Sequence, residues 1–146
     1  DGTFYDAIQN RTQKAGICPM APEVFVTFRK DIHKTQNEMS QLLGVSVKAI
    51  RSYEQGWRRI PAHVERHLLY LVASREEIFK TQPPCWQILQ CPDELRCQCP
   101  AWEFNAGSFC WFINGTICGG VVHPTWAEKI KICRKCEAFP EVLNRS

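Results

Sequence analysis

Apolar side chains recur every three or four residues through the first half of the chain, the spacing at which they share one face of an α-helix. This pattern predicts one helix over 22–33 and another over 62–79, with two shorter helices between them. The side chains expected to fill the core from the two longer helices are Val24, Phe25, Phe28, Ile32, Val64, Leu68, Leu71, Val72 and Ile78. After residue 84 the periodicity stops, and a different kind of structure is expected there.

The two shorter helices carry their own cap and turn signals. Thr35 can cap the first of them, with Glu38 three residues further on to complete a capping box. Gly44 lies where the chain must turn, because glycine adopts a positive φ without steric cost. Ser46 can cap the second helix, and Gly56 can end it in a left-handed conformation. The core side chains expected from this segment are Met39, Leu42, Leu43, Val45, Ile50 and Tyr53.

This segment also contains a motif, TQNEMSQLLGVS followed by IRSYEQGWRRIP. It resembles the phage-repressor and Cro type of helix-turn-helix, the XRE family. The resemblance implies a lambda-repressor-like, all-α helix-turn-helix bundle over 21–79 that binds double-stranded DNA, and we expect a homodimer because such modules bind near-palindromic sites. An unrelated helical hairpin with a basic, solvated face is the alternative.

In modules of this type the second helix lies in the major groove, and its first residues contact base edges. The resemblance therefore turns Val47, Lys48 and Ser52 towards DNA, with Ala49 close to the bases. Lys48 can donate to a guanine, and Val47 can contact a thymine methyl group. Trp57 can pack either on the sugar-phosphate backbone or against the following helix. The expected DNA-binding residues are Gln36, Ser46, Val47, Lys48, Ala49, Arg51, Ser52, Arg58 and Arg59, with Gln36 and the arginines on phosphates.

The distribution of charge agrees with this placement. The chain has 146 residues and a net charge of +3. Residues 1–82 hold 12 Lys and Arg against 9 Asp and Glu, whereas residues 83–146 hold 6 of each kind. A small net charge argues against non-specific coating of nucleic acid, but a local basic patch suits binding at defined sites.

The remaining regions are defined by composition. Residues 1–20 form a weakly amphipathic N-terminal arm, and the prolines in 80–84 make that segment a stiff linker. We expect 85–146 to be a small, cysteine-rich α+β domain. In it the sequence predicts a helical turn over 92–96, a hairpin over 111–117 that turns at Asn114-Gly115, and a closing helix over 126–139.

Eight of the nine cysteines lie after residue 84. Their pattern is C-W-x(4)-C, then C-P-A, then C-W-x(3)-G-T-x-C, then C-x-x-C, which resembles the small two-CW cysteine-rich domain. The resemblance implies a metal site whose candidate ligands are Cys85, Cys91, Cys99, Cys110, Cys118, Cys133 and Cys136. Cys97 and Cys18 fall outside this pattern, so we do not expect either to be a ligand.

The nature of the centre stays open at this point. Only Cys133 and Cys136 have the spacing of a zinc knuckle, while dispersed cysteines beside tryptophans suit an iron–sulfur cluster, such as [4Fe–4S], at least as well. Disulfides or redox thiol pairs are a third possibility. The first residues lack the apolar stretch of a signal peptide, so we expect a cytoplasmic, reducing compartment that favours metal. Metal binding would then stabilise a segment too short to bury a sufficient core.

These observations predict a DNA-binding transcription regulator whose cysteine domain senses redox state or metal. A structural zinc platform for dimerisation or partner contact is the main alternative. A DNA-tethered redox enzyme is a weaker one, because the sequence contains no recognisable catalytic set. We therefore expect no enzymatic activity, no small-molecule substrate and, in the absence of a long apolar run, no membrane association.

Overall fold

The first four helices follow the predicted amphipathic pattern. The structure is a computed structural model that describes residues 20–145. The predicted arm over 1–20 lies outside this range apart from Met20, which is buried, and Cys18 also lies outside it. The four helices are α1 (Pro22–Asp31), α2 (Gln36–Leu43), α3 (Val47–Glu54) and α4 (Ala62–Arg75).

The predicted caps and turns between α2 and α3 are confirmed. The Thr35 hydroxyl accepts from the Glu38 backbone N–H at 3.1 Å, and the Glu38 carboxylate accepts from the Thr35 backbone N–H at 2.8 Å. The hydrogen bond from the Thr35 backbone N–H, followed by the Thr35 side chain, lowers the pKa of Glu38. Gly44 and Gly56 have φ values of +67° and +76°, and the Ser46 hydroxyl accepts from the N–H three residues further on at 3.0 Å. Local chemistry therefore determines where these helices begin and end.

The predicted core of the helical bundle is confirmed in most positions, while Val45, Leu71 and Ile78 are only partly buried and pack against its edge. Phe25, Met39, Ile50 and Leu68 are each 0% exposed. Leu42, however, is 39% exposed, so its assignment to the core is wrong. On the short helix α2 only one stripe of side chains can face inwards, and Met39 and Leu43 occupy it.

The predicted helix over 62–79 is broken near its end. Glu77 adopts a left-handed φ of +54°, so α4 ends at Arg75 and a separate turn, α5 (Ile78–Thr81), follows. The residues just before the break are exposed and gain nothing from continuing the helix against the core. The change of direction brings Phe79 to ring-centroid distances of 5.4 Å from Tyr70 and 4.8 Å from Phe109. The contacts of Phe79 with these two rings therefore offset the helical hydrogen bonds that are lost at the break.

The second half of the chain is made of short pieces. They are α6 (Cys85–Ile88), α7 (Asp93–Arg96), α8 (Pro100–Glu103), a 3₁₀ helix (Gly107–Phe112), β1 (Thr116–Cys118), β2 (Val121–His123), α9 (Trp126–Cys133) and a second 3₁₀ helix (Glu141–Leu143). The predicted turn over 92–96 corresponds to α7. A mostly helical chain with one small antiparallel sheet is the part of the predicted fold class that is confirmed. None of the helices formed by residues 20–145 has the length and apolar character needed to cross a bilayer.

The hairpin was predicted in the wrong place. The strands β1 and β2 pair with Thr116 opposite His123, and the chain turns at Gly119-Gly120 instead of Asn114-Gly115. Both turn glycines have positive φ, +63° and +78°, the requirement of a two-residue hairpin turn of type I′. Consecutive glycines meet that requirement more easily than Asn-Gly, because neither has a Cβ atom.

The predicted closing helix over 126–139 is also too long. Helix α9 ends at Cys133, and the chain continues in turns in which the Cys136 N–H donates to the Cys133 carbonyl at 2.9 Å. Pro140 follows, and a proline disfavours helical backbone at the residue before it. The shorter helix leaves Cys136 on a turn, where it faces the same cavity as Cys133.

The two halves of the chain share one hydrophobic core. Trp111, Trp126 and Phe139 from the second half pack in the same cluster as the buried side chains of α1 to α4. Polar contacts accompany this packing: Arg66 of α4 donates to the Phe112 carbonyl, and the Gln82 side chain in the predicted linker donates to the Ala138 carbonyl. The helix α4 is therefore part of both halves.

Candidate functional site

One face of α3 and the loop after it carries exposed cations. Lys48, Arg51, Arg58 and Arg59 are all exposed. None of the four forms an ion pair with a carboxylate of residues 20–145, although Arg58 lies over the Tyr53 ring at 5.6 Å. Together with Ser46 and Val47 at the start of α3, these four cations form what we call the α3 surface. It has the charge required to approach a polyanion.

Two of the predicted DNA-binding residues do not belong to this surface. Ala49 is 5% exposed and Ser52 is 9% exposed, and the Ser52 hydroxyl donates to the Lys48 carbonyl at 2.9 Å. The prediction that Ser52 points outwards is therefore wrong. Both side chains lie on the face of α3 that also carries Ile50 and Tyr53 into the core. A small side chain there allows close packing against the bundle.

Gln36 has a protein partner in this structure. Its side-chain amide donates to a Glu54 carboxylate oxygen, and Arg29 donates to both oxygens of the same carboxylate. Glu54 thus ties α1 and α2 to the end of α3. Gln36 is half-buried, and its predicted phosphate contact is not tested by these hydrogen bonds.

The sequence left two contacts open for Trp57, the sugar-phosphate backbone of DNA and the following helix. It is 78% exposed, so the alternative that it packs against the following helix is wrong. It stands between Gly56 and Arg58 in the loop after α3. An exposed indole next to Arg58 and Arg59 in sequence is suited to packing on a sugar-phosphate backbone, and we add it to the α3 surface.

The second candidate site is a cavity of about 220 Å³ in the second half of the chain. Its walls contain every cysteine of the predicted ligand set: Cys85, Cys91, Cys99, Cys110, Cys118, Cys133 and Cys136. Cys97 is exposed and does not line the cavity, in agreement with its place outside the sequence pattern. These seven residues come from six different segments between residues 85 and 136, and only the fold brings them together. We call this site the cysteine cavity.

The rest of the cavity wall is mostly apolar. Trp86 and Trp102 meet edge to face at 4.9 Å, and Trp111 is 0% exposed. A Cβ atom at Gly107 would lie 2.5 Å from Pro84 and 2.6 Å from the Trp86 ring, so glycine is required there for Trp86 to reach its position. Bulky rings around the sulfurs limit the access of water to them.

Two buried nitrogen atoms at the cavity have no acceptor. Within residues 20–145, Arg96 Nε and Trp111 Nε1 are the buried side-chain nitrogens that lack a hydrogen-bond partner, and both residues line the cavity. A buried donor without an acceptor costs about 1–3 kcal/mol. Both donors are therefore left for an acceptor that the described residues do not supply.

The thiols differ in their acidity. Hydrogen bonding between Cys85 and Cys110 lowers the pKa of Cys85 and raises the pKa of Cys110. Burial raises the pKa of Cys133 to about 12 and also raises the pKa values of Cys91 and Cys136. Without a ligand, most of this wall is therefore neutral thiol near pH 7, and a bound metal would have to displace protons.

The cysteines surround the cavity without meeting at one point. Among residues 20–145 no group of three His, Cys, Asp or Glu side chains is close enough to hold a single metal ion. A tetrahedral zinc site needs four ligand atoms at about 2.0–2.3 Å from one centre.

A salt bridge joins the cysteine cavity to α4. Arg134, between Cys133 and Cys136 in sequence, donates to Glu65 at 3.0 Å, and the Trp126 indole N–H lies 3.5 Å from the same carboxylate. Glu65 is only 4% exposed, and burial raises its pKa despite the arginine. Sequence periodicity offered no signal for this contact, because Glu65 and Arg134 are 69 residues apart.

Comparisons of the chain with family models, with curated proteins and with solved structures find no match. The resemblances to a repressor-type helix-turn-helix and to a two-CW domain accordingly stay expectations. What the molecule does has to be inferred from the α3 surface and the cysteine cavity.

Proposed function

We propose that this chain is a sequence-specific DNA-binding transcription regulator whose cysteine cavity holds an iron–sulfur cluster and responds to redox state. The observation that carries this proposal is the combination of two sites on one shared core: unpaired cations along α3, and a cavity that gathers seven cysteines. In this proposal α2 and α3 are a helix-turn-helix, and α3 is its recognition helix.

The position of the cations supports DNA binding. Lys48 lies in the first turn of α3, the part of a recognition helix that contacts base edges. One good lysine contact to guanine contributes about 1–3 kcal/mol of discrimination between bases. Arg51, Arg58 and Arg59 extend from there along the same element and the loop that follows, where they would bind phosphates and set the register.

The spread of the cysteines supports an iron–sulfur cluster. Such clusters are held by four cysteine thiolates at separate iron atoms, so their ligands need not converge on one point. Four of the seven cavity cysteines would hold the cluster, which when bound supplies one-electron redox chemistry. The tryptophans would limit its contact with water, and the unpartnered N–H groups of Arg96 and Trp111 would be available to it as donors.

The Glu65–Arg134 pair supports communication between the two sites. Any rearrangement of the turn over 133–136 on loss of the cluster would withdraw Arg134 from Glu65. A buried carboxylate without its partner must then ionise at a cost, become protonated or move towards water. Glu65 belongs to α4, which shares a core with the helices α1 to α3. A displacement of Glu65 would therefore disturb the packing of the DNA-binding half.

Anaerobic purification tests the centre directly. We expect visible absorption together with iron and acid-labile sulfide in the purified protein. A colourless protein that contains zinc would replace the sensor with a structural zinc platform, and a protein without any metal would remove the cofactor from the proposal.

Selection of binding sites from a pool of random DNA duplexes tests the other half. We expect one enriched sequence, and in Lys48→Ala about tenfold weaker binding with relaxed preference at one base pair. The exposed Lys131 on α9 is the matched control, and Lys131→Ala should bind like the unaltered protein. If no sequence is enriched, the DNA-binding proposal is wrong; equal affinity of the reduced and oxidised proteins would remove redox control alone.

A further inference from the structure

Lys129 on α9 is a buried cation without a counter-ion. It is only 1% exposed, and within residues 20–145 no carboxylate lies within ion-pair distance of it. Burying an ammonium group without compensation is costly, so buried charges in proteins are normally paired or bound to a ligand. Lys129 therefore requires a negative charge, and no carboxylate of residues 20–145 provides it.

Its surroundings belong to the cysteine cavity. The Lys129 ammonium donates to the Thr116 hydroxyl, and Thr116 is itself 1% exposed and lines the cavity. The same hydroxyl oxygen lies 3.6 Å from the Cys118 sulfur. Because that oxygen accepts from the ammonium, its own proton is left to donate to the sulfur.

We propose that Lys129 is a positioning residue of the metal centre, which through Thr116 directs a hydroxyl donor onto the Cys118 sulfur and neutralises part of the negative charge of a thiolate-bound cluster. This inference rests on the proposed iron–sulfur function. Four thiolates give the centre a net negative charge, and Lys129 is the fixed charge that makes such a centre tolerable inside an apolar wall.

The charge of Lys129 also affects electron transfer. When an external one-electron donor reduces the centre, the centre gains one electron and becomes more negative by one unit, with no bond made or broken. The positive charge of Lys129 would stabilise that added negative charge. The reduced form is therefore favoured over the oxidised form by the lysine.

Substitution at position 129 tests the role of charge. Lys129→Met keeps much of the side-chain volume and removes the ammonium, while Lys129→Arg keeps the charge. We expect the equilibrium constant for one-electron reduction to fall at least tenfold in Lys129→Met, a shift of about 59 mV to more negative potential. The reduction potential of Lys129→Arg should stay closer to that of the unaltered protein. A redox titration followed by visible absorption measures this, with iron and sulfide content determined for each protein.

Substitution at position 116 provides a second measurement if position 129 does not tolerate methionine. Thr116→Ser keeps the hydroxyl donor and Thr116→Val removes it, so only the valine variant should shift the potential in the negative direction. Loss of the cluster in Lys129→Met but not in Lys129→Arg would equally support a requirement for charge.

The outcomes separate this inference from the proposed function. If the unaltered protein binds no iron, the proposed function fails. If the unaltered protein binds the cluster, and both Lys129→Met and Thr116→Val have the same reduction potential as the unaltered protein, Lys129 has only a packing role. The inference is then overturned. If both position-129 variants lose the cluster, the comparison of Thr116→Ser with Thr116→Val decides.

Discussion

The two halves of this molecule reach a folded state by different means. Over residues 20–75 the helices have 8 to 14 residues and bury a continuous set of aliphatic and aromatic side chains, and α2 and α3 begin at side-chain caps. Over residues 85–103 the three helices have only four residues each, and α6 and α7 contain no fully buried residue. Such short helices are unstable by themselves, because each needs a costly nucleus for very few hydrogen bonds.

This difference teaches where the stability of each half must come from. In the first half it is spread over many small contributions from packing, caps and hydrogen bonds. In the second half Trp111, Trp126 and Phe139 join the same core, while the short helices α6 to α8 contribute to the walls of a cavity. A ligand in that cavity would supply to the second half what the apolar core supplies to the first.

The largest effect is expected from removal of the metal. Iron chelation under reducing conditions should abolish amide-exchange protection in α6 to α8, while α1 to α3 keep theirs. Hydrogen exchange read by mass spectrometry measures both regions in one sample. Unchanged protection of α6 to α8 in metal-free protein would show that the second half does not depend on its cavity for folding.

The next largest effect is expected from Trp111→Ala. This ring is 0% exposed and meets Trp126 at 6.3 Å and Phe139 at 6.2 Å. Its loss should lower the free energy of unfolding by about 3–5 kcal/mol, the usual cost of truncating a buried aromatic side chain. Trp102→Ala is the matched control because Trp102 is 41% exposed, and it should cost clearly less in the same denaturant titration. Equal losses would mean that the shared core is not centred on Trp111.

A smaller effect is expected from Arg134→Met, which breaks the contact between the two halves. Leaving the buried Glu65 without its cation should cost about 1–3 kcal/mol at neutral pH. Burial already raises the pKa of Glu65 in the folded protein, and loss of the cation raises it further. Both proteins lose stability as the pH rises above the unfolded pKa of Glu65, but the variant goes on losing it after the unaltered protein has ionised this group. The extra loss in Arg134→Met should therefore grow as the pH rises through the folded pKa of Glu65.

Denaturant titrations at several pH values, with Lys135→Met as the control, measure this prediction. Lys135 is exposed and next in sequence, and its substitution should have little effect at any pH. A loss in Arg134→Met that does not depend on pH would show that Glu65 is not the group left behind.

The smallest effect is expected from the helix caps of the first half. Thr35→Ala removes one hydroxyl from a capping box and should cost about 1 kcal/mol. Thr35→Ser keeps the acceptor and should cost less. If the first half is stabilised by many small contributions, thermal unfolding of Thr35→Ala should remain cooperative and the iron content should not change. A loss of metal in this variant would contradict the contrast between the halves.

The sequence predicted most accurately what is decided locally. The capping box at Thr35, the turn at Gly44 and the left-handed Gly56 each depend on residues within a few positions of one another. The break at Glu77 was missed because its compensation is distant: Phe79 packs on Phe109, far along the chain. The hairpin was misplaced because two adjacent pairs, Asn114-Gly115 and Gly119-Gly120, both satisfy turn chemistry, and tertiary packing decides between them.

The candidate sites follow the same rule. The exposure of Lys48 and its neighbouring arginines agrees with the helical phase of α3, but that phase also buries Ser52, which was expected to face outwards. The cysteine pattern separated the seven cavity residues from Cys97, yet periodicity could not show that they line one cavity. The ammonium of Lys129 was missed because its partners, Thr116 and the cysteines, lie on other segments.

Helix α4 limits how freely the two halves can be exchanged. Its Leu68 is buried with the helices before it, while Glu65 and Arg66 bind residues that come after Phe109. A chimera joined at the prolines of 83–84 would give the cysteine half a foreign partner without this pair of side chains. Transfer of the cysteine half to another DNA-binding module should therefore succeed only when α4 is transferred with it. The segment to transfer begins near residue 62.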